Sequence, residues 1–415
     1  MSMIEFNGEH YLDGRASDPR ELGWMRGAPP PEDKRITFGR HVAFPQLRWS
    51  LTHMRELAAT ANIWRGGGTP SSLEHWDRSA EIDLLTFQDM DGHTRRFDEA
   101  LYDTYTDGIA VLHRGRVIYE RYFGALEPHL PHACFSVTKS YAGTLAAAFL
   151  YEGLLDDKRT IPHYLPELKG TGWEEATLRQ VMDMQVGLAY TEDYVDENSG
   201  VNAYARAGGA WRPANYDGPE TLCDYLRTVR KEGAHGQFAY KTINTEVIAW
   251  VMARVTGRSF IQLLEEHLWT TLRCEENAYM RVDSAGMATA GGGLYASLRD
   301  LVRFGELMRR EGEWNGRQII PEAVVHEVQR GGDRENFSQA GYGLLPGYSY
   351  RSQWWVTHNE LNAFEARGMH GQRLYVAPKS EMVVARFTSH PLASSAGSEP
   401  ITGPQMLALG RMLAA

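Results

Sequence analysis

Two hairpin patterns stand near opposite ends of this chain. In "DGIAVLHRGRVIYERYFG" (107–124) and "RLYVAPKSEMVVARFTS" (373–389), β-branched and aromatic runs flank a short turn, Arg-Gly in the first and Pro-Lys-Ser in the second. The stretch between reads differently. "TLRQVMDMQV", "TLCDYLRTVRK", "NTEVIAWVMARVTG" and "FIQLLEEHLWTTL" place apolar residues at i, i+3 and i+4, the period of a helix with one buried face. Strands at both ends with helices between predict an α/β domain of α+β type. It would be closed by both termini and interrupted by a helical insertion. The α/β domain covers 106–155 and 286–415, and the mainly helical insertion covers 156–285. Residues 1–105, with Pro- and Gly-rich loops at "GAPPPEDKR" and "RGGGTPSS", read as an irregular segment packed on that domain or touching a second copy in a homodimer. "GPQMLALGRMLAA" (403–415) ends the chain as a helix.

Composition narrows the class of function. With 43% hydrophobic and 23% charged residues, the 415-residue chain can bury a sizeable core, which sets disordered and fibrous classes aside. The formal net charge is -10 and the Lys and Arg residues are scattered, so no nucleic-acid partner is expected. Nowhere do 18 apolar residues run together, so no membrane span is expected. The opening residues lack a basic start followed by an apolar run, and a cytoplasmic location is the expectation. Cys134, Cys223 and Cys274 are an odd number without CxxC spacing, and read as buried free thiols.

The same pass finds no cofactor or metal motif. "HEVQR" (326–330) is half of HExxH, leaving His326 as a helix-surface residue, while "RGGGTP" and "AGGGLYAS" lack nucleotide-loop spacing. No GxSxG elbow is present. Asn336-Phe-Ser has the form of a glycosylation sequon, expected to be unused.

The chemistry concentrates in "HACFSVTKSYAG" (132–143). Ser136 stands at the N-terminus of an Ala- and Leu-rich helix running from Val137 to Glu152, and Lys139 lies three residues on, on the same face. A serine hydroxyl needs a base to become a nucleophile. Lysine can be that base if burial lowers its pKa. The helix N-terminus adds N–H groups suited to an oxyanion. Ser-x-x-Lys alone occurs about once by chance in a chain of this size, so context must decide. Context comes from the hydrophobic helix, from Tyr240 ahead of Asn244 and a long helix in "GQFAYKTINTEVIAWVMARVTG", and from "RGMHGQRLYVAP" (367–378). That last stretch reads as a Gly-rich entry to an edge-type strand.

These three pieces in this order resemble the serine β-lactamase and penicillin-recognising superfamily, which implies a serine β-lactamase-like fold, an antiparallel β-sheet flanked by helices with an inserted all-helical domain. "VMDMQVGLAYTEDYVDENSGV", "YRSQWWVTHNE" and "GMHGQ" are similar to the 6-aminohexanoate-dimer (nylon oligomer) hydrolase branch and its esterase relatives. The resemblance implies Ser136 as nucleophile, Lys139 as general base and Tyr240 as proton shuttle. It implies an oxyanion hole from the backbone N–H groups of Ser136 and Met369. It places Tyr194 beside the scissile nitrogen and Trp355 on the pocket wall, with Asn244 and His370 supporting the site.

Three departures shape the expected substrate. The tyrosine motif is Tyr-Lys-Thr-Ile-Asn rather than Tyr-x-Asn, and the third motif, His370-Gly371-Gln372, has no lysine or threonine to grip a β-lactam carboxylate. At the positions that the resemblance aligns with polar, amide-favouring residues stand Ala205 and Gly291. The expected function is a serine hydrolase acting on small carboxylic esters, and on linear amides such as aminohexanoate oligomers more weakly. A β-lactamase or DD-peptidase-like enzyme and a catalytically silent binding module are the competing readings.

Overall fold

The computed structural model describes residues 3–6, 8–210 and 212–415. Eight strands build the main sheet: β1 (Glu74–His75), β2 (Thr106–His113), β3 (Arg116–Tyr122), β4 (Ser349–Arg351), β5 (Trp354–Val356), β6 (Phe364–Arg367), β7 (Arg373–Ala377) and β8 (Met382–Thr388). They lie in the order β4-β5-β6-β7-β8-β2-β3-β1. All neighbours are antiparallel except β1 and β3.

The two hairpins expected from the sequence meet at the centre, where β8 pairs with β2 from Met382↔His113 to Thr388↔Thr106. Arg114 and Gly115 turn the first hairpin with φ of 53° and 76°, the left-handed pair that matches the twist of the flanking strands. Side chains alternate between the faces, as a pleated strand requires. Ile109 and Val111 join one apolar layer while Ala110 and Leu112 join the other, and β7 and β8 divide in the same way. Both faces must therefore be covered.

The longer helices are α1 (Val137–Tyr151), α2 (Gly200–Ala207), α3 (Ile243–Thr256), α4 (Leu298–Arg309) and α5 (Glu399–Ala414). α1 and α4 cover one face of the sheet, and α5 with the short helix Phe97–Asp103 covers the other. α5 begins one turn before the expected 403, with Pro400 in its first turn, where a missing N–H costs nothing. Residues 156–285 carry α2, α3 and several shorter helices, and their apolar faces merge with α1 and the sheet into one continuous core. At the end of that span the chain is a strand, Ala278–Arg281. It pairs with Thr60–Ile63 and Leu294–Ala296, and the latter pairs with His132–Ala133 in a second, four-stranded sheet. Periodicity missed these strands because they are too short to show it. The small sheet aims the chain from His132 directly into α1.

One expectation is corrected. β7, which follows "GMHGQ", lies between β6 and β8 and is no edge strand. The backbone at the site belongs instead to the 3₁₀ turn Met369–Gly371 that joins β6 to β7.

Candidate active site

Ser136 caps the N-terminus of α1. It is preceded by Phe135 with φ of 45°, a left-handed conformation that a bulky residue adopts only under local constraint. The Ser136 side chain makes no capping bond to the helix, which leaves its hydroxyl for Lys139. Lys139 Nζ donates to Ser136 Oγ at 2.8 Å and to the Gly291 carbonyl at 2.5 Å. The lysine is 1% exposed, and burial lowers its pKa from 10.5 to about 8 against the opposing pull of Glu192 and Glu246.

Tyr240 precedes α3 and stacks on Trp355, with centroids 5.4 Å apart, and its ring centre lies 5.1 Å from Lys139 Nζ. Burial, then the Glu192 charge, pushes its phenol well above the ordinary value, while a hydrogen bond with Ser136 acts in the other direction. Tyr194 donates its hydroxyl to Glu192 Oε2 at 2.9 Å, and the other Glu192 oxygen accepts the Thr242 N–H.

The Met369 turn is brought to the segment before Ser136 by Gly368. A Cβ there would stand 2.7 Å from the Cys134 carbonyl oxygen and 3.2 Å from Phe135 Cβ, so only glycine allows the approach. Met369 and Ser136 both line one cleft of about 420 Å³, together with Glu192, Tyr194, Tyr240, Tyr342, Trp355 and Arg367. Their backbone N–H groups make no hydrogen bond among the described residues. A serine hydroxyl, a buried amine, a neutral phenol and two free N–H groups thus meet at one cleft, the set of groups that acyl transfer uses.

The beta-lactamase family pattern matches residues 94–398. The chain belongs to the beta-lactamase family. Within it, the chain is 34% identical over 349 residues to the 6-aminohexanoate-dimer hydrolase of Paenarthrobacter ureafaciens, covering 84% of this chain and 86% of that one. Among solved structures, a Bacillus anthracis protein provisionally assigned as a 6-aminohexanoate-dimer hydrolase matches with a TM-score of 0.84 and 31% identity, over 93% of this chain and 99% of the other. A class C β-lactamase in complex with cefoxitin shares the fold, with a TM-score of 0.51 and 15% identity over 73% of this chain and 92% of that one. This beta-lactamase-family chain is a hydrolase of the 6-aminohexanoate-dimer hydrolase-like branch.

Four residues expected to bind substrate or support the site lie outside the cleft lining of this family member. Asn244 is fully buried, accepting from Trp173 Nε1 at 3.0 Å and donating to Met184 Sδ at 3.5 Å. Gly291 lies behind Lys139, presenting its carbonyl. Ala205 sits half-buried on α2. His370 is buried with φ of 58°, and its Nδ1 pairs with the His390 carbonyl at 2.8 Å. Burial lowers the His370 pKa to about 4, so the ring is neutral. His370 N–H donates to the Ala393 carbonyl, fixing the Met369 turn from behind. Cys134 and Cys274 are buried free thiols as expected, whereas Cys223 is only half-buried.

Sequence reasoning missed Glu192, Arg367 and Glu399, which also line the cleft. Glu192 belongs to the acidic "TEDYVDE" loop, whose charges read as solvated. Its position two residues before Tyr194 was the available signal.

Proposed function

We propose that the cleft is a serine acyl-transfer site for small carboxylic esters and, more slowly, linear amides, with Ser136 as nucleophile, Lys139 as base and Tyr240 as proton shuttle. The observation that carries this reading is the 2.8 Å contact between Ser136 Oγ and a buried Lys139 amine. The two titratable neighbours of Ser136 are pushed apart: Lys139 down to about 8, Tyr240 well above 10.0. The amine is the group that can accept a proton near neutral pH, and the phenol is the one that can donate.

In this reading Ser136 Oγ attacks the substrate carbonyl as its proton passes to Lys139 Nζ, and the oxyanion takes the N–H groups of Ser136 and Met369. Collapse breaks the C–O or C–N bond, and the leaving group receives a proton through Tyr240. Water then attacks the acyl-enzyme, its proton returns through the same groups, and acid and free Ser136 result. An alkoxide leaves more readily than an amide anion, so esters ask less of the shuttle.

A β-lactamase reading is less well supported. The Gln372 amide is spent on the Met369 and Thr388 carbonyls, and Arg367 is paired with Glu365 and Glu399, so neither offers a free grip for a β-lactam carboxylate. The test compares wild type with Ser136→Ala on p-nitrophenyl acetate and butyrate, the linear 6-aminohexanoate dimer and a chromogenic cephalosporin. Ester hydrolysis that disappears in the variant supports the proposal, and the dimer-to-ester ratio ranks amide against ester. Equal inactivity of both proteins on every substrate would favour the silent binding module.

A further inference from the structure

One buried carboxylate close to Lys139 has no part in the scheme above. Glu246, in the first turn of α3, is fully buried. One of its oxygens accepts the Gly291 N–H at 2.7 Å and the Tyr204 hydroxyl at 2.6 Å, and the other accepts the Ala290 N–H at 3.0 Å. A carboxylate is retained in a core only when donors replace the water it loses. Here two of the three donors belong to a single turn. The Gly291 carbonyl of that turn is the second acceptor of Lys139 Nζ.

Sterics point the same way. A Cβ on Gly291 would stand 2.5 Å from Thr242 Cγ2, 2.9 Å from Tyr204 Oη and 3.0 Å from Glu246 Oε1. The turn therefore fits against α3 only as glycine, and Glu246 is the group that holds it there. Without the carboxylate, two backbone N–H groups would be left unpaired in the core.

We propose that Glu246 is a positioning residue for the hydrolytic reaction. It clamps the Ala290–Gly291 turn so that the Gly291 carbonyl holds Lys139 against Ser136, and it supplies a buried negative charge when Lys139 takes the serine proton. This inference rests on the reading of Lys139 as the base.

The charge environment is compact. Lys139 faces Ser136 on its own helix, Tyr240 ahead of α3, Glu192 from the loop before α2, and Glu246. Glu246 faces Tyr204 of α2 and Lys139 of α1. Burial lifts Glu246 to about 7 against its hydrogen bonds and the lysine, and Lys139 falls to about 8. Two opposite groups so matched titrate as a pair, and a proton arriving on Lys139 favours the ionised form of Glu246. A purely structural carboxylate would tie down the turn without moving the pH at which the base works.

The experiment measures kcat and KM for p-nitrophenyl acetate across the neutral and alkaline range, for wild type, Glu246→Gln, Glu246→Asp and Ser136→Ala. Folding of each variant is checked by near-ultraviolet circular dichroism. With Glu246→Gln the expected result is a kcat about tenfold or more lower, KM within about twofold, and the acid limb of kcat/KM displaced by about one pH unit to lower pH. Removing the negative charge makes protonated Lys139 less stable, which sets the direction of the displacement. Glu246→Asp keeps the charge and shortens the clamp, so its acid limb should stay at the wild-type position while kcat falls.

A folded Glu246→Gln with wild-type kcat and an unmoved acid limb overturns the inference, while inactive Ser136→Ala in the same assay leaves the catalytic reading standing. Should Glu246→Gln fail to fold, Glu246→Asp decides. A kcat lowered about fivefold or more at unchanged KM supports the clamp, and wild-type kcat overturns it. If Ser136→Ala retains hydrolysis, the catalytic reading itself fails and the role of Glu246 falls with it.

Discussion

Lys139 Nζ donates to Ser136 Oγ at 2.8 Å from a position 1% exposed. An amine there works as a base only once it has lost its own proton, and burial makes that loss occur near pH 8. For p-nitrophenyl ester hydrolysis, kcat/KM should rise about tenfold per pH unit below that point and level off above it. The sign for stability follows from the same shift. The folded-state pKa lies below the ordinary 10.5, so the contribution of Lys139 is present above 10.5 and is lost as pH falls through about 8. Lys139→Met should therefore cost about a hundredfold or more in kcat/KM while raising the melting temperature at neutral pH. A variant that loses activity and stability together would contradict this account.

Tyr240 touches the Ser136 side chain at the cleft, and its phenol stays protonated. In the proposed scheme its proton matters most where the leaving group is poor. Tyr240→Phe keeps the ring on Trp355 and removes only the hydroxyl. We expect hydrolysis of the linear amide dimer to fall about tenfold further than hydrolysis of p-nitrophenyl acetate. Rate ratios for the two substrates, measured on one preparation, check it, and equal losses would leave Tyr240 as a nucleophile-orienting residue without a shuttle role.

The parts of the site legible in the sequence are those that local spacing controls. Ser136 and Lys139 are one helical turn apart, and the hairpins at 107–124 and 373–389 announce themselves by period and turn residues. The cleft walls are a different matter. Glu192, Arg367 and Glu399 reach one cavity from three distant segments, and no local pattern records that. Burial misled in both directions. Asn244 next to the tyrosine motif was expected to support the site and is a core residue, while Glu246, two positions on, is a fully buried carboxyl group in a helix that periodicity alone cannot orient.

Asn244 offers a direct test of that distinction. Its Oδ1 satisfies the indole N–H of fully buried Trp173, and its amide reaches Met184 Sδ. Asn244→Ala should lower stability by about 2 kcal/mol through the stranded indole donor. In the folded protein below its unfolding transition, kcat/KM for p-nitrophenyl acetate should stay within about threefold of wild type, since the lost partners lie outside the cleft. Chemical denaturation and steady-state kinetics together decide it, and a large loss of kcat with unchanged stability would return Asn244 to the catalytic machinery.

Gly143 lies inside α1, where glycine usually weakens a helix, and its neighbour explains it. A Cβ at 143 would stand 2.1 Å from the Ser352 carbonyl oxygen and 2.6 Å from Gln353 Cβ, in the turn between β4 and β5. Ser140 Oγ donates to the Gln353 carbonyl at 2.7 Å and Trp354 Nε1 donates to Thr144 Oγ1 at 3.0 Å, so the turn is fastened on both sides of the contact. Gly143→Ala has no room unless the turn moves, and the turn leads directly to Trp355 on the cleft wall. The expected cost is about 3 kcal/mol of stability, with a raised KM for p-nitrophenyl butyrate as Trp355 is displaced. Ser140→Ala removes only one fastening and should cost about 1 kcal/mol with KM unchanged. If Gly143→Ala proved as stable as wild type, the close approach of α1 to this hairpin could not be what requires glycine.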